Sequence, residues 1–169
     1  MEPTTLLNTR RIGGAARNVE LPAGVSVEGV ELSKPTELFG AVKAVGQSGN
    51  LRYGFLSAFE NESNLLGQND LTGELITVTN DGRDFGVARL LYESSSGEGR
   101  KSIGYLGTLA NSEQLDATVH GVDTHWMSPS GRWSIDNQFM ASEKADTVGY
   151  GIFVDVAYTP RQGLSHSLG

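Results

Sequence analysis

The chain of 169 residues contains no cysteine. Disulfide bonds, thiolate metal sites and a cysteine nucleophile are therefore excluded. Positive charge is also scarce, since 13 Lys and Arg stand against 20 Asp and Glu and the formal net charge is −7. Because nucleic-acid binders concentrate positive charge on one surface, this balance argues against a nucleic-acid partner. We recognise no catalytic motif, so we expect neither enzymatic activity nor a cofactor.

Long apolar runs are missing as well. The best run, residues 149–157, is interrupted by Asp155 and is far shorter than the roughly 18 residues of a membrane helix. The start of the chain, Met1-Glu2-Pro3, does not have the pattern of a signal peptide. Glycine, in contrast, is abundant at 22 residues, and each glycine inside a helix costs about 1 kcal/mol relative to alanine. The composition therefore disfavours a helix bundle.

Apolar and small or polar residues alternate with a period of two after residue 37. In Val148–Tyr158 six large apolar residues share one face, and Phe153 lies with small and charged residues on the other. In Leu51–Glu60 the aromatic residues share one face, and Leu56 lies on the other. A helix would scatter these side chains, whereas a strand places them on one face. Val25–Glu31 is an eighth, weaker strand candidate. The other five segments that alternate in this way are 38–45, 85–93, 102–109, 119–126 and 133–140.

The sequence pattern predicts three regions of the chain. Residues 1–36 read as an irregular lead-in, residues 37–160 as an antiparallel sheet, and residues 161–169 as a tail. Polar turn sequences separate the strands, and a long loop is expected at 61–83. The predicted fold class is all-β, an antiparallel meander of long strands that forms part of, or a small, up-and-down β-barrel of outer-membrane type.

Strand length favours a barrel in a membrane. The segments run about nine to twelve residues, whereas strands in soluble proteins average about 5–6 and a tilted membrane strand needs about 9–11. In such a barrel the apolar face contacts lipid and the polar face lines the lumen. A soluble sandwich is the inside-out copy of the same pattern, so alternation alone leaves both solutions open.

The alternation also nominates residues for each face. Polar side chains expected to line a lumen are Arg52, Glu60, Arg89, Glu93, Asp123, His125, Asp136 and Asp155. Aromatic side chains expected to face lipid as an interfacial girdle are Tyr92, Trp126, Trp133 and Tyr158. Aromatic pairing across ordinary hairpins is the alternative for the second set, and a solvated surface is the alternative for the first.

A metal site is not expected. On a strand, His120 points away from Asp123 and His125, so only two ligands would share a face. The acidic residues Asp123, Asp136 and Asp155 fall on one face of consecutive strands. They could discriminate between cations or bind sugar hydroxyls, although a solvated face is the simpler interpretation.

Several motifs resemble one protein family in their order and spacing. They are Thr9–Gly13 (TRRIG), Leu38–Lys43 (LFGAVK), Arg52–Leu56 (RYGFL), Asp84–Leu90 (DFGVARL), Ser102–Thr108 (SIGYLGT) and Gly121–Asp123 (GVD). The chain resembles the C-terminal domain of unknown function of bacterial surface proteins whose N-terminal domain is like a carbohydrate-binding module of family 9. The resemblance implies an outer-membrane β-barrel. The carbohydrate-binding-like domain is missing here, so we expect a fragment of a larger protein.

Two hypotheses follow. The first is a non-catalytic outer-membrane barrel segment of a Gram-negative bacterium, with a bilayer as partner and passive passage or surface carbohydrate handling as its role. A carbohydrate ligand would belong to the parent protein. The second is a soluble, periplasmic or extracellular β-sandwich or β-barrel that binds a ligand or partner. In isolation we expect self-association through open sheet edges.

Overall fold

The computed structural model describes residues 12–16, 19–113, 115–161 and 164–168. It is all-β and antiparallel, which confirms the predicted class. One helical turn, α1 (Gly29–Leu32), accompanies the strands. The strands are β1 (Val25–Val27), β2 (Leu38–Ser48), β3 (Leu51–Glu60), β4 (Ser63–Asn69), β5 (Leu75–Asn80), β6 (Asp84–Ser96), β7 (Gly99–Ser112), β8 (Leu115–Met127), β9 (Trp133–Lys144), β10 (Thr147–Arg161) and β11 (Leu164–Leu168).

The large sheet has eight strands in the order β11-β10-β9-β8-β7-β6-β3-β2. Every neighbouring pair is antiparallel. Strands β6 to β11 form a meander, and β2 and β3 form a hairpin at one edge. Within the described residues no ladder joins β2 to β11, so the sheet has two open edges.

A small sheet, in the order β1-β4-β5, occupies the connection between β3 and β6. The expected long loop at 61–83 is therefore a hairpin, which is a correction to the sequence-based expectation. Leu65 and Val78 pair across the hairpin, and both pack with Val25 in a small hydrophobic core. The sequence did not predict these strands because four of their six exposed positions carry polar residues typical of a loop, namely Asn64, Gln68, Thr77 and Thr79.

The two ends of the chain also differ from expectation. In the lead-in, β1 is only three residues long and α1 takes the place of the second half of the expected strand. In the tail, β11 pairs with the end of β10. Thr9, Arg10 and Arg11 of the first resemblance motif lie outside the described residues.

The large sheet has almost no core of its own. Ala58, which is fully buried, is the one apolar residue of this sheet classed as buried among those described. In the part of the chain that the structure describes, no second layer thus packs against the long strands. None of the helical segments in the described part of the chain has the length and apolar character to cross a membrane.

Candidate functional site: two unlike faces of one sheet

The ladder register determines which side chains share a face of the large sheet. Residues directly paired across antiparallel strands point to the same side. One row runs across the sheet from β10 to β2, through Ile152, Phe139, Val122, Tyr105, Leu90, Tyr53 and Gly46. We call the side that carries this row the apolar face, and the opposite side the polar face.

The apolar face is the more exposed of the two. Ile152 and Phe139 expose 65% and 60% of their surface, and Tyr150 exposes 82%. Charged residues are confined to the strand ends on this side, such as Lys101 and Glu143. Most of the exposed large apolar side chains of the sheet are therefore on this face, which is the reverse of a solvated sheet that buries them. The polar face also carries some large apolar side chains, including Leu56, Val87, Leu91, Leu106, Met140 and Phe153.

The polar face carries all eight of the nominated polar residues. Their sorting to one side follows from the register of β3, β6, β8, β9 and β10. Charges of both signs meet there in ion pairs that cross between strands. The nominated residues are Arg52, Glu60, Arg89, Glu93, Asp123, His125, Asp136 and Asp155.

The central ion pair joins Arg89 of β6 to Asp123 of β8. The guanidinium group reaches across β7, and Arg89 Nη2 donates to Asp123 Oδ2 at 2.9 Å. The crossing is open because Gly104 lies beneath it. A Cβ atom on Gly104 would come within 2.6 Å of both Nη2 and Oδ2. A side chain at position 104 would therefore displace these two groups from their present positions.

A second group of charges surrounds Glu93. Arg100 Nη2 lies 2.7 Å from one carboxylate oxygen, and Arg52 Nη1 lies 3.8 Å from the other. Arg100 was not nominated from the sequence, although it falls on the same face as its β7 neighbour Ser102. Two guanidinium groups share one carboxylate, so this part of the polar face has a surplus of positive charge.

A third contact on the polar face joins His125 of β8 to Asp136 of β9. The Nδ1 atom of the imidazole lies 2.6 Å from Asp136 Oδ1. Asp155 is paired with Asp136 on the other side. Two carboxylates thus stand directly opposite one another, with the imidazole in contact with only one of them.

Glu60 differs from the other nominated residues because it is buried at the end of β3. Arg83 Nε donates to its Oε2 at 2.8 Å, and the backbone N–H of Gly13 donates to its Oε1 at 2.8 Å. Arg83 also lies over the ring of Phe85, 5.4 Å from its centroid. Through these hydrogen bonds, Glu60 connects the end of β3 to residues 12–16 and to the residue that precedes β6.

The four nominated aromatic residues lie on the apolar face. Trp133 and Tyr158 pair across β9 and β10, with ring centroids 4.4 Å apart. Trp126 belongs to the next row and Tyr92 to the row after that. All four lie towards the ends of their strands nearest the turn at 128–132.

Polar side chains on the apolar face form hydrogen bonds with one another. The Tyr105 hydroxyl lies 2.8 Å from His120 Nδ1, and Asn137 Nδ2 donates to Thr124 Oγ1 at 3.1 Å. His120 lies on the face opposite to Asp123 and His125, as their spacing predicted. Among the described residues no group of three or more His, Asp and Glu side chains is arranged to hold a metal ion.

A hollow of about 750 Å³ opens where the small sheet meets the strand ends. Acidic and amide side chains dominate its walls. The charged residues in the walls are Glu37, Glu60, Glu62, Asp81, Asp84 and Glu113. Arg83 pairs with Glu60, whereas the other carboxylates have no ion-pair partner among the described residues.

Two carboxyl groups away from the sheet faces have a shifted pKa. A hydrogen bond from Lys101 lowers the pKa of Glu98 in the turn between β6 and β7. A hydrogen bond from Lys34, with a further one from the Leu66 N–H, lowers the pKa of Glu31 in α1. Both groups are solvent-exposed, so these contacts are local.

No family model, curated protein or solved structure matches this chain.

Proposed function

We propose that the large sheet is a segment of an outer-membrane β-barrel, with its apolar face against lipid and its polar face lining an aqueous lumen. The observation that carries this proposal is the exposure of the apolar face, where Phe139 and Ile152 expose 60% and 65% of their surface. Burying such a side chain is worth roughly 1.5–3 kcal/mol. Lipid would provide that burial.

Strand length supports the same arrangement. A strand tilted by about 45° crosses the hydrocarbon core in about 9–11 residues. The strands β2, β3, β6, β7, β8, β9 and β10 have 11, 10, 13, 14, 13, 12 and 15 residues. Each can therefore cross the apolar layer and extend beyond it.

The polar pairs on the apolar face fit a lipid environment as well. Without water, an unpaired hydroxyl, imidazole or amide is costly in hydrocarbon. The contacts Tyr105–His120 and Asn137–Thr124 reduce that cost because each group meets another within the face. The aromatic residues near one end of the strands fit the amphipathic layer at the membrane surface.

The chemistry of the polar face suits a wet passage. Arg89–Asp123 and Arg100–Glu93 place both signs of charge along the same surface. Such a lining holds water and admits small polar solutes. Passive passage is the role that the residues support. Surface carbohydrate handling rests on the resemblance to the barrel domain of carbohydrate-associated surface proteins.

The open edges make the isolated chain prone to associate. The free edge of β2 extends over 11 residues. Among the described residues, β11 pairs only with the end of β10, so Thr147–Asp155 of β10 forms no ladder on that side. Because β2 and β11 run in opposite directions, the two edges are compatible with closure by antiparallel pairing. We expect them to pair with further strands of the barrel or with a second copy.

A soluble β-domain that binds a ligand or partner is the alternative, and the small sheet is the observation that favours it. Leu65 and Val78 are 3% and 5% exposed, so this part of the chain has a core of the ordinary soluble kind. Under this alternative a partner or a second sheet would cover the apolar face.

Sedimentation of the refolded chain, in buffer alone and with mild detergent, distinguishes the two. The membrane proposal predicts a species that stays dispersed only in detergent, with β-structure by circular dichroism. A monodisperse folded monomer in plain buffer would contradict it and would favour the soluble domain.

A further inference from the structure

The register brings a serine, a histidine and an aspartate together on the polar face. Ser102 of β7 is paired directly with His125 of β8, and His125 is paired directly with Asp136 of β9. The three side chains therefore form one row across three consecutive strands. The three residues are far apart in the sequence, so the sequence does not reveal this row. Only the register between the strands brings the residues together.

Asp136 orients the imidazole of His125. Its Nδ1 atom lies 2.6 Å from Asp136 Oδ1, which leaves Nε2 for a second partner. Ser102 and His125 are not hydrogen-bonded to one another in the described structure. Directly paired side chains have Cβ atoms about 4.5–5.5 Å apart, so a change of rotamer can bring the hydroxyl to the imidazole. The Ser102 hydroxyl has no hydrogen-bond partner among the described residues, so it can rotate towards the imidazole.

We propose that Ser102, His125 and Asp136 hydrolyse carboxylic esters as nucleophile, general base and positioning carboxylate. His125 Nε2 takes the Ser102 proton while Oγ attacks the ester carbonyl carbon. Collapse of the tetrahedral adduct breaks the carbon–oxygen bond to the alcohol, which leaves with the proton from the imidazolium. Water then hydrolyses the acyl-serine by the same steps, which releases the acid and restores the hydroxyl.

The surroundings of Ser102 fit an acyl-transfer step. Glu93 is paired directly with Ser102, and Arg100 and Arg52 both contact its carboxylate. Two guanidinium groups against one carboxylate leave a net positive charge beside Ser102, which favours the oxyanion that develops during attack and esters that carry an anionic group nearby. The polar face also supplies the water that deacylation requires.

This activity goes beyond the proposed membrane role and does not depend on it. The row has the same geometry whether its face lines a lumen or faces bulk solvent. Sedimentation decides the membrane question, and active-site labelling decides this one. Either proposal can therefore fail while the other stands.

A fluorophosphonate probe, followed by intact-mass measurement on the folded full chain, tests the nucleophile. We expect one adduct on the natural sequence and none on Ser102→Ala. Ser134→Ala is the matched control, because it removes a hydroxyl from the same face of β9 where the opposite residues are Met127 and Ala157. That variant should label fully. Absence of an adduct on the natural chain, or its persistence in Ser102→Ala, would overturn the proposal.

Hydrolysis of p-nitrophenyl butyrate tests the other two residues. His125→Gln should lower kcat by about 100-fold to 10,000-fold, and His120→Gln on the opposite face should leave it unchanged. Asp136→Asn should lower kcat with little change in KM and shift the pH profile of kcat, which a purely structural role would not do. Equal rates in the natural chain and Ser102→Ala would contradict the assignment.

Discussion

Placing an arginine at Ile152 perturbs the apolar face near the middle of β10. Ile152 exposes 65% of its surface, so lipid would cover roughly two-thirds of an isoleucine whose full burial is worth about 1.5–3 kcal/mol. Losing that contribution costs about 1–2 kcal/mol. An arginine at the middle of the bilayer adds about 2–4 kcal/mol. Ile152→Arg should therefore reduce the free energy of unfolding in lipid vesicles by about 3–6 kcal/mol.

Asp155→Arg is the matched control on the same strand. Asp155 lies on the polar face and is paired with Asp136, so the substitution replaces a pair of like charges with opposite charges. It should change the free energy of unfolding by less than about 1 kcal/mol, in the stabilising direction. Urea titrations in vesicles, followed by tryptophan fluorescence, compare the two variants. A cost below about 0.5 kcal/mol for Ile152→Arg, as at a solvated surface, would refute the lipid-facing assignment.

Three further predictions concern contacts outside the lipid-facing rows. Gly104→Val should displace the Arg89–Asp123 ion pair and cost up to about 1 kcal/mol in chemical unfolding, because both side chains are partly exposed and can shift; an unchanged midpoint would contradict the close approach. Glu60→Ala breaks the buried ion pair with Arg83 and should lower the free energy of unfolding by about 3–5 kcal/mol. Because Glu60 also binds the Gly13 N–H, trypsin should cleave faster within residues 12–36. A cleavage rate equal to that of the natural chain would contradict this role of Glu60. Lys101→Met should raise the pKa of Glu98 towards its ordinary value in an NMR titration. The lowered pKa makes this contact stabilising above the unfolded-state pKa and removes that contribution as the pH falls through the folded-state pKa.

Much of the large sheet could be predicted because its strands carry strong alternation. Leu51–Glu60 was delimited correctly, and Val148–Tyr158 lies inside the longer β10. Large side chains at every second position can lie on one face only if the segment is a strand. Serine-rich ends were harder to predict, since the strand expected at 85–93 stops before Ser94, whereas β6 continues to Ser96 and a two-residue turn precedes Gly99. The positive φ of that glycine permits the tight connection.

The small sheet could not be predicted because its signal is short. Only Leu65, Val78 and their near neighbours mark the buried side of β4 and β5, and polar residues alternate with them. Two-residue alternation over six or seven positions is weak evidence against a loop. The core that stabilises it comes from Val25, which is distant in the chain.

The site was predictable in its sorting but not in its contacts. Period-two alternation assigns Asp123 and His125 to one face and His120 to the other, whatever the neighbouring strands are. The contacts Arg89–Asp123 and His125–Asp136 depend on the register between strands. Register is decided by turn length and pairing, which the alternation of a single strand does not contain.

Depth-resolved quenching of tryptophan fluorescence tests the lipid-facing assignment most directly. The chain has two tryptophans, Trp126 and Trp133, and both lie on the apolar face near the same strand ends. In vesicles of lipids brominated at different depths, we predict the strongest quenching by bromine near the headgroup end of the acyl chains. Loss of the signal in the Trp126→Phe, Trp133→Phe double variant provides the control. Quenching by aqueous iodide, with none by brominated lipid at any depth, would contradict the account.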